Sequence, residues 1–279
     1  MMKENAINVL GLSEPESVLD KCVLEFLMEL REYRKIGLTP KQVGELKERS
    51  LLDRSISKMD NMSCGNERKI LSDVNWEEVQ EAVNRGVAEK MFPVGTEIRT
   101  ELKNGKTVSF VVAALNHYQM SELVFASRIC IGKDQPVNFW DEERGWARSD
   151  LRDYLNKDLV KLLPTDLLSV ISSKRTVQIS AGNLESSEDL LFLPSVYEVF
   201  GEAVASAYNG MDKQYPYYAE EINRIAGNEK GYRTSRWLCS PCDHVPSCFC
   251  YVDYQGLLSV NRASLPLGVA PGFVVRARK

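Results

Sequence analysis

The sequence predicts an α+β fold, and three observations predict it. Ser13-Glu14-Pro15-Glu16 opens an amphipathic helical pattern near the start. Residues 96–102 and 107–113 have the texture of strands around Asn104-Gly105, which is a hairpin signature. Trp237-Leu238 and Gly272-Phe273-Val274-Val275 read as strands that bracket a charge-poor segment. A length of 279 residues with 44% hydrophobic content suffices for a substantial core.

In chain order, Ser13 caps a helix that carries Leu19, Cys22, Val23, Phe26, Leu27, Leu30 and Tyr33 on one face, and Gly37 stops it. Thr39-Pro40 restarts a short helix with Val43 and Leu46 inward. Residues 1–50 are thus expected to form a helical hairpin. Its apolar face is too small to stand alone, so it packs on the main domain or joins copies into a homo-oligomer. Residues 51–92 read as a polar linker and then a helix, which Asn75 caps and which runs to about Glu89. The main domain is expected over 93–279. In it the hairpin turns through a type I′ Asn-Gly pair, and Leu123-Val124-Phe125-Ala126 adds a strand. His117 follows the second strand as a surface or hydrogen-bonded histidine. A loop with two tryptophans spans 138–146, and Ser149 caps a helix with Leu151, Tyr154 and Leu155. Arg175 to Ile179 is a strand, the Ser186-Ser187-Glu188-Asp189 stretch a turn with solvated acids, and Leu190 to Pro194 a short buried strand. One helical turn ends at Gly201, and 210–232 is a polar excursion carrying Tyr215, Tyr217 and Tyr218.

Residues 237–275 stand apart. Between Cys242 and Leu267 the charged residues are Asp243, Asp253 and Arg262, and Cys, Tyr, Leu, Val and Pro fill the gaps without a helical or strand period. Exposed apolar and tyrosyl groups in a loop-rich stretch are the dress of a binding surface. A net charge of −4 without a basic stripe argues against nucleic acid as a partner. No charged-then-apolar leader and no run of about 18 apolar residues occur, so a signal peptide and membrane insertion are not expected. The chain reads as cytoplasmic when made. Its seven cysteines then read as thiols rather than a disulfide framework. Gly-rich phosphate loops, H-E-x-x-H and G-x-S-x-G are missing from the sequence, and no cofactor is expected.

The motif order is specific. Gly145-Trp146 to Asn156 reads G-W-x-x-S-D-L-R-x-Y-L-N, Leu163-Pro164 follows, and then Thr176-Val177-Gln178, Glu185 to Gly201, Trp237 to Pro241 and Gly268 to Phe273. Together these resemble a domain of unknown function from gut bacteria and their phages. That resemblance implies a C-type-lectin-type fold, distantly similar to the formylglycine-generating-enzyme family. The final stretch is also similar to the variable region of target proteins of diversity-generating retroelements. The fixed residues of that region match Ser240-Pro241, Phe249-Cys250, Val252, Gly256, Ala263-Ser264, Gly268-Val269-Ala270 and Gly272-Phe273. Cys239 stands where related domains have Arg, and Ala270 follows the retroelement-target form.

The resemblance implies a ligand-binding, non-enzymatic protein, displayed on a phage particle or a cell and directed at a protein or cell-surface partner. Its variable positions would be Cys242, Asp243, His244, Val245, Ser247, Cys248, Tyr251, Asp253, Tyr254, Gln255, Leu257, Ser259, Val260, Arg262, Leu265 and Leu267. Trp237, Val252, Gly256, Gly268, Gly272 and Phe273 would pin the scaffold. Three other readings compete. One is a prophage structural or adhesion module that is not diversified. The second is a zinc site built from Cys239, Cys242, Cys248 and Cys250. The third is a cysteine-dependent formylglycine-generating-type oxidase using Cys248 with Cys250 or Cys239 with Cys242, with His244 as the nearby base.

Overall fold

The computed structural model describes residues 70–71, 74–140, 144–180, 183–201, 213–242, 245 and 247–278. All fall within Glu67–Lys279, one of two units into which the chain divides. The helical hairpin expected over 1–50, and the linker after it up to residue 69, lie outside the described residues.

The described chain opens with β1 (Ile70–Leu71) and α1 (Trp76–Asn84). Asn75 caps α1 by accepting from the Glu77 amide at 2.9 Å, which satisfies a donor that the first helical turn leaves unpaired. The helix ends earlier than its sequence pattern suggests, and a separate turn of helix, α2 (Ala88–Met91), follows. Trp76, Val79, Ala82 and Val83 are buried. The Trp76 ring meets Phe125 and Phe273 edge-on at 5.2 and 5.5 Å. A domain boundary at 93 would therefore cut through one hydrophobic core. The helix read as part of a linker region supplies that core with its tryptophan.

β2 (Glu97–Glu101) and β3 (Thr107–Leu115) form the expected hairpin, with Ile98 opposite Phe110. Its turn is not type I′. Asn104 keeps a negative φ, Gly105 takes φ +80°, and the Gly105 amide donates to the Leu102 carbonyl at 2.8 Å. This is the longer type I turn that ends in a left-handed glycine, the next most common hairpin connection. β4 (Glu122–Ser127) pairs with β3. A 3-10 turn (Trp146–Arg148) leads into α3 (Asp150–Lys157), capped by the Ser149 hydroxyl, and a second 3-10 turn precedes α4 (Thr165–Val170). β5 (Ile171–Ser172) is short, and β6 (Lys174–Ser180) pairs with β7 (Asn183–Asp189).

β7 corrects the turn expected at 186–189. The inward positions of this hairpin are Lys174, Gln178, Ser187 and Asp189, so the strand period exists but polar residues carry it. Residues 190–194, expected as a strand, make only the isolated bridge Phe192 to Gly272. A capping box between Ser195 and Glu198 starts α5 (Val196–Phe200). The described part of the polar excursion holds two 3-10 turns and β8 (Ala226–Gly227), and β9 (Arg233–Thr234) follows it. The chain then forms β10 (Arg236–Pro241), β11 (Cys248–Val252), β12 (Leu258–Arg262) and β13 (Gly272–Arg276).

The architecture is α+β. One six-stranded sheet has the order β1-β2-β3-β4-β13-β5, and β10-β11-β12 form a second, antiparallel sheet. β13 lies between β4 and β5 with Phe273 opposite Phe125, so nearly the last strand of the chain is inserted into the sheet its middle builds. Each face of the large sheet is covered. Phe110, Phe125 and Phe273 join Trp76 and Trp146 on one side, while Val111, Val124 and Val274 join Tyr215 and Tyr218 on the other. Among the described residues no helix is long and apolar enough to cross a membrane.

Candidate functional site

The segment between Trp237 and Phe273 is more regular than its sequence suggests. Instead of an irregular excursion it holds β11 and β12, which continue the sheet begun by β10. The reason is two-sided burial. Phe249 packs with Trp237 and Cys239 in one core, while Cys250 and Val252 pack with Leu238 in the other. A strand covered on both faces reads as an unbroken apolar run and loses its alternation.

The fixed and interspersed positions separate by burial. Pro241, Gly256, Gly268 and Gly272 are buried, and Ser240, Phe249, Cys250, Val252, Ala263, Val269, Ala270 and Phe273 are exposed by 2% or less. Of the matched fixed residues, only Ser264 is half-buried. Trp237 is fully buried, and its indole N–H donates to the Gln135 carbonyl at 2.9 Å. Gly256 turns the β11–β12 hairpin at φ +90°, and a Cβ at Gly268 would stand 2.5 Å from the Cys130 sulfur. Neither position accepts another residue without strain.

None of the described interspersed residues is buried. Val245, Tyr254, Gln255, Leu257, Val260, Arg262 and Leu265 are exposed. Cys242, Ser247, Cys248, Tyr251, Asp253, Ser259 and Leu267 are half-buried. Asp243 and His244 lie outside the described residues. Tyr251 is less detached than a display residue need be, because its ring packs edge-on against Trp237 at 5.9 Å. Asp253 is also committed. Its Oδ1 accepts from the Gln255 and Leu257 amides at 2.8 and 2.9 Å and shapes the hairpin turn.

The four cysteines of the zinc reading do not converge. Cys239 packs with Trp237 and Phe249, while Cys250 packs with Leu238 and Val252 on the other side of β11, the side that Cys248 shares by strand alternation. Cys239 and Cys250 belong to different cores, and Gln178 Nε2 donates to the Cys239 sulfur at 3.1 Å. Among the described residues no group of three His, Cys, Asp or Glu side chains is placed to hold a metal.

Two buried polar clusters lie elsewhere, and both explain motif residues. Asp189, read from the sequence as a solvated acid, is 1% exposed. It accepts from Arg152 Nε at 2.5 Å, Ser187 Oγ at 2.8 Å and the Trp146 indole at 3.4 Å. Asn156 completes the knot by donating to the Leu191 carbonyl at 2.9 Å. The second cluster centres on Glu198, which accepts from Lys174 Nζ at 2.6 Å, from the Tyr118 hydroxyl at 2.5 Å and from the Ser195 amide at 2.7 Å. Burial alone would raise the Glu198 carboxyl, but the Lys174 ammonium and these donors hold it below the usual carboxylate range. His117 rests edge-on against Tyr118 and Tyr215, both at 4.7 Å, and burial pushes its imidazole below the ordinary histidine value.

The sequence model of a family described as a domain of unknown function (DUF6273) matches residues 121–277, more than half of the chain. The chain belongs to this family. No curated protein and no solved structure matches it. The matched region begins just before β4 and ends just after β13, so it contains the Asp189 cluster, Lys174, Ser195 and Glu198 of the second, and the whole Trp237–Phe273 segment, while Tyr118 lies just before it. The family match does not reach β2, β3 or α1, which complete the same sheet and core.

Sequence reasoning missed one exposed feature. Phe139 and Trp140 are 64% and 72% exposed, in the loop noted only for its tryptophans. The signal was present: two adjacent aromatics among Asn138, Asp141 and Glu142 have no apolar pattern to bury them.

Proposed function

We propose that this chain is a ligand-binding protein on a C-type-lectin-type scaffold, and that a retroelement diversifies its C-terminal surface to vary recognition of a protein or cell-surface partner. One observation carries the reading: within 237–275 the positions matching fixed residues are almost all buried, and no described interspersed position is.

Magnitudes explain why that partition matters. A core substitution costs about 2–5 kcal/mol, against a total stability of about 5–15 kcal/mol for a domain. Two or three random core changes would unfold the protein. Exposed positions typically cost within about 0.5 kcal/mol, so many can change together. A process that rewrites many side chains at once is tolerable only where side chains face water. Tyr254, Leu257, Val260 and Leu265 would supply contact area, with Arg262 giving polarity.

The decisive experiment is to sequence the gene's 3′ end and flanking DNA in independent isolates. The expected result is a near-repeat of the 3′ end that differs at adenines in the codons of the interspersed residues, beside a reverse-transcriptase gene. Identical 3′ ends with neither neighbour would replace this reading with a fixed adhesion module.

A further inference from the structure

Beside the Trp237–Phe273 segment lies a cleft of about 230 Å³. Pro136, Phe139, Leu151 and Tyr154 line it, together with the charged residues Asp150, Asp153, Lys157 and Asp158. The cleft is built into the fold. The Gln135 and Val137 amides donate to the Leu267 and Ala263 carbonyls at 2.9 and 2.8 Å, which tie the loop to the segment after β12. On the other side the Leu151 amide donates to the Val137 carbonyl at 3.0 Å, and the Phe139 amide to Asp150 Oδ2 at 2.9 Å. Rigid attachment on both sides holds Phe139 at the cleft while leaving it 64% exposed. An aromatic held this way has a solubility cost and no packing role, which marks an interaction surface.

We propose that this cleft is a socket for an arginine side chain presented by a protein partner. Its volume is below the roughly 300 Å³ at which small-molecule pockets begin and suits a single side chain. Apolar and aromatic lining matches the arginine stem and the flat face of its guanidinium, and the carboxylates of Asp153 and Asp158 match its positive charge. Those carboxylates are held by Lys157 and Lys161 at 2.6 and 3.4 Å, and the lysine side chains are 68% and 72% exposed. Ion pairs that exposed are worth little, so the lysines swing into water and an incoming guanidinium takes their place. Asp150 is not part of the exchange, because it already holds the Phe139 amide and faces Arg144 at 3.5 Å. The socket is independent of whether the neighbouring strip varies.

The test uses the full chain and the peptide acetyl-Gly-Arg-Gly-amide, with the citrulline peptide as its uncharged isostere. Side-chain NMR should record saturable shifts at the Leu151 methyls and the Phe139 and Tyr154 rings with the arginine peptide. The citrulline peptide should bind roughly tenfold more weakly, as expected for the loss of a charge-assisted hydrogen bond. The double variant Asp153→Asn with Asp158→Asn should lose binding to the same degree. Both side chains are more than half exposed, so its melting temperature should match that of the parent chain. Equal binding of citrulline, shifts that persist in the double variant, or no shifts at these residues would each overturn the proposal. So would sedimentation in which a second copy of the chain occupies the cleft, with the arginine peptide unable to displace it.

Discussion

At the scale of single residues, burial sorts the Trp237–Phe273 segment into positions that hold the fold and positions that do not. Trp237→Ala removes a fully buried indole and its hydrogen bond to Gln135, and is expected to cost about 3–5 kcal/mol. Leu257 is 57% exposed, so Leu257→Ala should stay within about 0.5 kcal/mol. Tyr251 falls between them. Its edge-on contact with Trp237 gives Tyr251→Ala a cost of about 1 kcal/mol, although the residue belongs to the exposed set by its sequence pattern. Urea denaturation of the three variants measures the order directly. A Leu257→Ala loss as large as that of Trp237→Ala would mean that the strip is part of the core.

At the scale of elements, the legible features were those whose chemistry is local. Asn75 and Ser149 announced helix starts, and each accepts a hydrogen bond from an amide in the first turn. The β2–β3 hairpin was legible because two strand-like runs flank Asn104-Gly105, though that pair pointed to the wrong turn type. β7 and β11 were not legible, for opposite reasons. β7 buries polar side chains whose partners lie on α3, on the 3-10 turn before it and on β7 itself, and β11 is apolar on both faces. The Lys174–Glu198 pair joins β6 to α5 and also lacks a sequence signal, since nothing local tells a buried lysine from a surface one. Its consequence is measurable in acid. Glu198 is depressed in the folded state, so its contribution is complete above the unfolded carboxylate value of 4.5 and is lost as pH falls through the lower folded value. His117 is depressed too, so the unfolded chain binds the proton first, and stability declines as pH falls below the unfolded value of 6.5. Two acid limbs should therefore appear in melting temperature against pH. His117→Phe should remove the upper limb and leave the lower one, which a plot of Tm from pH 8 to pH 3 would resolve.

At the scale of the whole molecule, the sheet is a closed account of sequence-distant parts. β13 is inserted between β4 and β5, and α1 lays Trp76 across Phe110, Phe125 and Phe273. The buried residues that close the Trp237–Phe273 segment are therefore also core residues of the frame, as Phe273 is. This coupling ties both ends of the segment, β10 and β13, into buried positions. It also fixes where the folding unit starts. A chain beginning at Glu67 keeps β1, α1 and the tryptophan, and should unfold cooperatively with the near-ultraviolet signature of packed aromatics. A chain beginning at Pro93, the boundary that composition suggests, loses Trp76 together with Val79, Ala82 and Val83 from the core. Losing the Trp76 indole alone costs about 3–5 kcal/mol, and losing the two valines and Ala82 with it takes up most of the roughly 5–15 kcal/mol that holds an ordinary domain together. That fragment should be insoluble, or should retain far-ultraviolet signal without a cooperative melt. A cooperative transition in the Pro93 fragment, matching that of the Glu67 fragment, would show that α1 is an addition to the frame and not part of it.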